Sequence, residues 1–229
     1  MKYYLYILIV VFGLNKTYSQ APVEEELGSW FTLLGNHKVS DKVSFSTLIQ
    51  AWDYELADNF NFILFNLMGN YHISPKLTTS LAYGYADIDS GFRMVGPHTY
   101  ENRLSEQIGY KHKLFKLPID QRFRVEQRFL NKSSRNVLHN RLRYRIGTKI
   151  TLNKSLFIRI HNEYLATLQT KTVDGFAENR LYSALGINVS KSINVQTGYL
   201  YRRIKGLDLH RLQLGLFYKM DLRKNKSKP

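Results

Sequence analysis

The sequence predicts an all-β fold: a single antiparallel transmembrane β-barrel of about 12 strands, with ten as the alternative. Three observations predict it. From Gly28 onward apolar and polar residues alternate with period two, and helical periodicity is weak. Many of the alternating segments run 11–17 residues, whereas an ordinary strand has about 5–6 and a tilted membrane-spanning strand needs roughly 9–11. One face of these segments carries Arg, Glu, Gln, Ser and Gly, as a wet lumen would, and the other is apolar.

The chain opens with a short positive segment at Lys2, an apolar run from Tyr3 to Leu14, and small residues at Thr17 and Ser19. The run is too short to span a bilayer as a helix, and the pattern matches a cleaved signal peptide over residues 1–19. Residues 20–222 form the barrel domain, and residues 223–229 a disordered basic tail. Strands are expected at 28–36, 43–54, 59–73, 77–87, 99–115, 118–130, 137–151, 155–167, 178–190, 193–204 and 208–222. Bacterial single-chain barrels usually have an even strand number, so a twelfth strand is sought within Ala21 to Leu27.

The alternation is clearest in the seventh segment. Val137, His139, Arg141, Arg143, Arg145, Gly147 and Lys149 share one face, and Leu138, Asn140, Leu142, Tyr144, Ile146, Thr148 and Ile150 the other. The sixth sets Arg122, Arg124, Glu126 and Arg128 against Phe123, Val125, Gln127 and Phe129. The eleventh sets Arg211, Gln213, Gly215 and Lys219 against Leu212, Leu214, Leu216 and Tyr218. One set of connections is short and built alike, with Asn or Ser beside Lys: residues 37–42, 73–76, 152–155 and 189–192, with 115–118 belonging among them. The other set holds the longer loops, Asp87 to His98 and Gln169 to Ala177. Short turns at one end and longer loops at the other are the habit of outer-membrane barrels. Tyr54, Tyr71, Tyr100, Tyr110, Tyr164 and Tyr218 recur near segment ends, where a phenolic ring suits a membrane interface.

Composition bounds the partners. The chain has no cysteine, which excludes disulfides, thiolate metal sites and an acylated-cysteine anchor. Its net charge of +15 favours acidic partners, namely outer-membrane lipid or lipopolysaccharide and a small anionic solute. Export past a signal peptide argues against nucleic acid.

Several polar-face segments form a set: Glu101-Asn102-Arg103, Arg122-Phe123-Arg124-Val125-Glu126-Gln127-Arg128, Arg141-Leu142-Arg143-Tyr144-Arg145, Asn162-Glu163-Tyr164 and Asn179-Arg180-Leu181-Tyr182. With Leu27-Gly28-Ser29-Trp30 and Gly198-Tyr199, this succession resembles a family of bacterial outer-membrane proteins known only as a domain of unknown function. The resemblance covers essentially the whole mature chain and implies a barrel in the Gram-negative outer membrane. It implies no activity.

The candidate site is a lumen charge network of Arg103, Arg122, Arg124, Glu126, Arg128, Arg141, Arg143, Arg145, Arg159, Glu163, Glu178, Arg180 and Arg211. Neighbouring strands bring such side chains close enough to pair, and Arg can take a carboxylate with two parallel bonds. The set has more Arg than Glu. The expected role is therefore structural, a narrow porin-like anion-favouring pore, or a ligand-binding barrel. The rival expectation is a packed ladder that simply fills the barrel. An outer-membrane lipid hydrolase using His139 or His161 is a second alternative, with Glu163 placed to orient His161. It lacks a Gly-x-Ser-x-Gly elbow and a His-Glu-x-x-His pair. A soluble periplasmic β-sandwich is the third. No cofactor and no metal site are expected; Asp87 and Asp89 read as a solvated loop rather than a Mg²⁺ or Ca²⁺ site.

Overall fold

The computed structural model describes residues 27–91, 96–133, 135–168, 175–204 and 206–223. The expected signal peptide and most of the basic tail lie outside these residues, as does the search region for a further strand up to residue 26. Eleven strands follow one another: β1 (Leu27–Lys38), β2 (Val43–Glu55), β3 (Asp58–His72), β4 (Leu77–Asp89), β5 (His98–Leu114), β6 (Leu117–Lys132), β7 (Arg135–Thr151), β8 (Leu156–Thr167), β9 (Phe176–Asn188), β10 (Ile193–Ile204) and β11 (Leu207–Asp221). Each pairs with its sequence neighbours in antiparallel fashion, and the wall closes into one barrel through β1 and β11. A two-sheet sandwich is thereby excluded.

The eleven strands of the described residues are the eleven segments marked by the alternation, close to the expected number of about twelve. With an odd number the first and last strands run in the same direction. Here they form a parallel ladder from Leu27 opposite His210 to Lys38 opposite Asp221. A parallel ladder satisfies the same backbone groups with evenly spaced, slanted bonds, at slightly lower stability per residue. Edge satisfaction therefore does not require an even count, and the seam departs from the all-antiparallel wall that was expected.

The connections follow from their residue chemistry. In four turns at one end a side-chain oxygen accepts backbone N–H groups two and three residues ahead. Ser40 takes those of Lys42 and Val43, and Ser74 those of Lys76 and Leu77. Asn153 takes those of Ser155 and Leu156, and Ser190 those of Ser192 and Ile193. This local capping is why the turns are built alike. The fifth connection at this end, between β5 and β6, has Phe115 at φ 55°. Both long connections, β4–β5 and β8–β9, lie at the opposite end, as expected. Three further connections there, β2–β3, β6–β7 and β10–β11, are only two residues long, so the contrast between the ends is weaker than the sequence suggested.

The two faces of the wall differ in kind. The outer face is apolar and uncovered by any other part of the described chain: Leu67, Leu81, Ile108, Phe123, Leu181 and Leu214 are all exposed. Leu142, Ile146 and Leu216 point outward with them rather than into a dry core. Tyr71 and Tyr110 sit near the end that carries the capped turns, and Tyr85, Tyr100, Tyr164 and Tyr199 nearer the other. The inner face is buried and divides into two walls, one ionic and one aromatic.

Candidate functional site

The ionic wall is built by strand parity and register. On β6 the residues Arg122, Arg124, Glu126 and Arg128 point inward together. Their partners across the ladder on β7 are Arg145, Arg143, Arg141 and His139. Glu126 is the hub. Its Oε2 accepts from Nε (2.8 Å) and Nη2 (2.6 Å) of Arg141, and its Oε1 accepts from Nη1 of Arg143 (2.8 Å). Arg124 lies 3.5 Å from Glu126 and Arg103 lies 4.0 Å away. Arg143 also donates to Glu163 on β8 at 2.6 Å, and Glu163 is further bonded by Arg122. Glu101 takes two bonds from Arg128 (2.9 and 2.6 Å) and one from Arg103 (2.5 Å). On the far side Glu178 is shared by Arg180 and Arg202, each at 2.6 Å, and Asp120 by Arg145 (3.0 Å) and Arg159 (2.9 Å).

In all, ten arginines share five carboxylates: eight arginines and four glutamates form one continuous chain of ion pairs, and Arg145 and Arg159 share Asp120 beside it. Glu101 and Glu126 are wholly buried, at 0% exposure. Charges taken out of water this far are tolerated only when paired and fully hydrogen-bonded. The carboxylates meet that condition. The arginines do so only by sharing, so the wall keeps a net positive field.

The structure brings twelve of the thirteen sequence-predicted residues into this network. Arg211 lies elsewhere, buried at the β1–β11 seam beside Gly28, with Nη1 donating to the carbonyl of His210 at 2.8 Å. Sequence reasoning missed Glu101, Asp120 and Arg202 as members. The first and last share parity with Arg103 and Leu200 on their own strands, so alternation alone could have found them.

The aromatic wall stands opposite and was not foreseen. Trp30, Trp52 and Phe62 are direct cross-strand partners on β1, β2 and β3. Their ring centroids are 3.8 Å apart for Trp30–Trp52 and 4.2 Å for Trp52–Phe62. Leu48, Leu64 and Ile88 extend this surface on one side, and Tyr182 and Leu200 on the other. Arg180 and Arg202 join the two walls, with guanidinium carbons 4.8–5.5 Å from the indole centroids. That is the geometry of a cation–π contact.

Between the walls lies a cavity of about 530 Å³. It is lined on one side by Trp30, Trp52, Phe62 and Leu200 and on the other by arginines of the network. Volumes of roughly 300–1,000 Å³ are typical of small-molecule sites.

The two histidines weighed as catalytic bases are placed without an orienting carboxylate. His139 sits between Arg128 (3.4 Å) and the Thr167 hydroxyl (3.2 Å). His161 packs on Tyr182 with centroids 4.8 Å apart. Glu163, expected to orient His161, is instead held by Arg143 and Arg122. Asp87 lies 2.7 Å from His98 Nδ1, and Asp89 Oδ1 accepts the backbone N–H groups of Gly91 (2.7 Å) and Gly96 (3.1 Å). Among the described residues no group of three or more His, Cys, Asp or Glu could hold a metal ion.

No curated protein matches the chain. Residues 27–213 match the family described as protein of unknown function DUF2490. That match spans β1 to the middle of β11, with residues on both sides of the cavity, and the chain belongs to this family.

Proposed function

We propose that this protein is an outer-membrane β-barrel, exported with a cleaved signal peptide, whose lumen binds an anionic ligand rather than conducting freely. Its place in the membrane is supported by the uncovered apolar outer face, by tyrosines toward both ends, and by strands of 12–17 residues. Exposed apolar surface on this scale would drive association or precipitation in water, whereas lipid takes it without cost.

One observation carries the ligand: ten arginines, five of them buried and five half-buried, share five carboxylates around an open cavity. A packed ladder whose only task was to fill the barrel would approach charge balance, because each unpaired buried charge is costly. An excess of guanidinium groups beside a cavity is instead the arrangement that receives carboxylate or phosphate oxygens, often two at a time.

Each half of the proposal has its own test. Protein from outer-membrane fractions should migrate differently on a gel before and after boiling; recovery as a soluble periplasmic monomer would overturn the location. The purified barrel in neutral detergent should bind inorganic phosphate by calorimetry, more weakly as salt rises and more weakly again in Arg122→Gln. Absence of binding at millimolar phosphate would overturn the anion site.

A further inference from the structure

Residues that line the cavity carry six polar atoms buried without a hydrogen-bond partner: Trp30 Nε1, Trp52 Nε1, Arg122 Nε, Arg145 Nε, His161 Nδ1 and Tyr182 Oη. Buried polar groups are nearly always satisfied, so a concentration of exceptions in one place calls for a partner. These six are not scattered. Arg122 pairs with Arg145 across β6–β7, and His161 with Tyr182 across β8–β9. Tyr182 shares a buried cluster with Trp30, and Trp30 pairs with Trp52 across β1–β2. They form one row that begins at the arginines and ends at the indoles.

The chemistry of the row is one-sided. Indole and guanidinium nitrogens only donate, and a tyrosine hydroxyl and an imidazole can. What satisfies them is a ligand rich in acceptor oxygens. Yet half of the surrounding surface is apolar, with Trp30, Trp52, Phe62, Leu64, Ile88 and Leu200 all facing the same space. A small inorganic anion would satisfy the arginines and leave that surface in contact with water. A neutral apolar molecule would cover the surface and leave the donors unmet.

We infer that the lumen site takes an amphipathic organic anion: a compact ring-sized apolar body against the Trp30–Trp52–Phe62 wall, with its carboxylate or phosphate among Arg122, Arg145 and their neighbours. This rests on the anion-binding proposal above and adds the ligand's second half. The cavity volume suits a molecule of that size.

The chain contains only two tryptophans and both are in this wall, so intrinsic fluorescence reports the site directly. The experiment titrates the folded full chain, in neutral detergent, with inorganic phosphate, phenyl phosphate and phenol, following tryptophan emission and heat. Phenyl phosphate should bind at least tenfold more tightly than either of the others and should perturb the emission. Trp52→Leu should bring the phenyl phosphate and inorganic phosphate affinities together. Equal affinity of the wild type for phenyl phosphate and inorganic phosphate would overturn the amphipathic ligand while leaving the anion site standing. Equal affinity for phenyl phosphate and phenol would overturn it from the other side. Binding of neither phosphate would remove both proposals. The wild-type series decides the matter even if the tryptophan variant does not fold.

Discussion

At the scale of single residues, Glu126 holds the most. It is fully buried and receives three bonds from Arg141 and Arg143, with Arg103 and Arg124 close by. Glu126→Gln keeps the shape and removes the charge that four guanidinium groups share. Breaking a buried pair by deleting one partner costs about 3–5 kcal/mol, because the remaining charge is left uncompensated. Reversible urea unfolding in lipid vesicles should show a loss of that size, and a loss under about 1 kcal/mol would mean that water screens the network. A second residue-scale device lies outside the wall. Arg223 donates to Asp41 at 2.6 Å and to Asp221 at 2.8 Å, while the Leu222 N–H donates to the Lys38 carbonyl at 2.8 Å. Hydrogen bonds from Lys38 and then from Arg223 hold the Asp41 carboxyl below the ordinary carboxylate range. Its folded value is therefore depressed. The clasp's contribution is complete above the ordinary aspartate value of about 3.9 and is lost as pH falls through and below it. Hydrogen exchange at Leu222, measured relative to neighbouring β11 amides, should lose protection below that pH. Arg223→Ala should already lack the protection at neutral pH.

At the scale of the strand, each element carries two surfaces with separate rules. Leu212, Leu214 and Leu216 of β11 face outward, whereas Arg211 and Gln213 face the lumen. Leu214 is 42% exposed. If that exposure is to lipid, Leu214→Arg should cost about 2–4 kcal/mol when the barrel is unfolded from vesicles. If the outer face were wet, the same substitution would fall within about 0.5 kcal/mol of neutral. The two values do not overlap, so one variant separates the two environments. The turns between strands were also readable. A Ser or Asn in each captures two backbone N–H groups, and this chemistry depends on the local residues alone.

At the scale of the whole molecule, eleven strands place the barrel between small barrels filled by side chains and wide porins with an aqueous channel. The ionic network occupies one side of the lumen and the Trp30–Trp52–Phe62 wall the other. In a planar bilayer the folded protein should give no stable conductance. A steady anion-selective current that weakens in Arg143→Ala would mean an open, arginine-lined pore instead.

Much of this molecule was legible in its sequence. Period-two alternation placed all eleven strands to within a few residues. It also put Arg122, Arg124, Glu126, Arg141, Arg143 and Glu163 on the lumen face, because the side-chain direction of a strand residue is set by parity alone. Parity does not say which residues stand opposite one another, and that is where sequence reasoning stopped. The expected count of about twelve came close to the eleven strands found, but only the closed wall could place β1 beside β11 in a parallel pair. Trp30, Trp52 and Phe62 are separated in sequence and lie on faces that mix polar and apolar residues. Their stacking depends on the registers of β1–β2 and β2–β3. The sharing of five carboxylates among ten arginines depends in the same way on the registers of β5 through β10. By itself, then, the sequence determined the strands, their faces and their turns, all of which are local. The tertiary structure alone decided the seam, the aromatic wall and the cavity between unlike walls, because each depends on which strands meet and in what register.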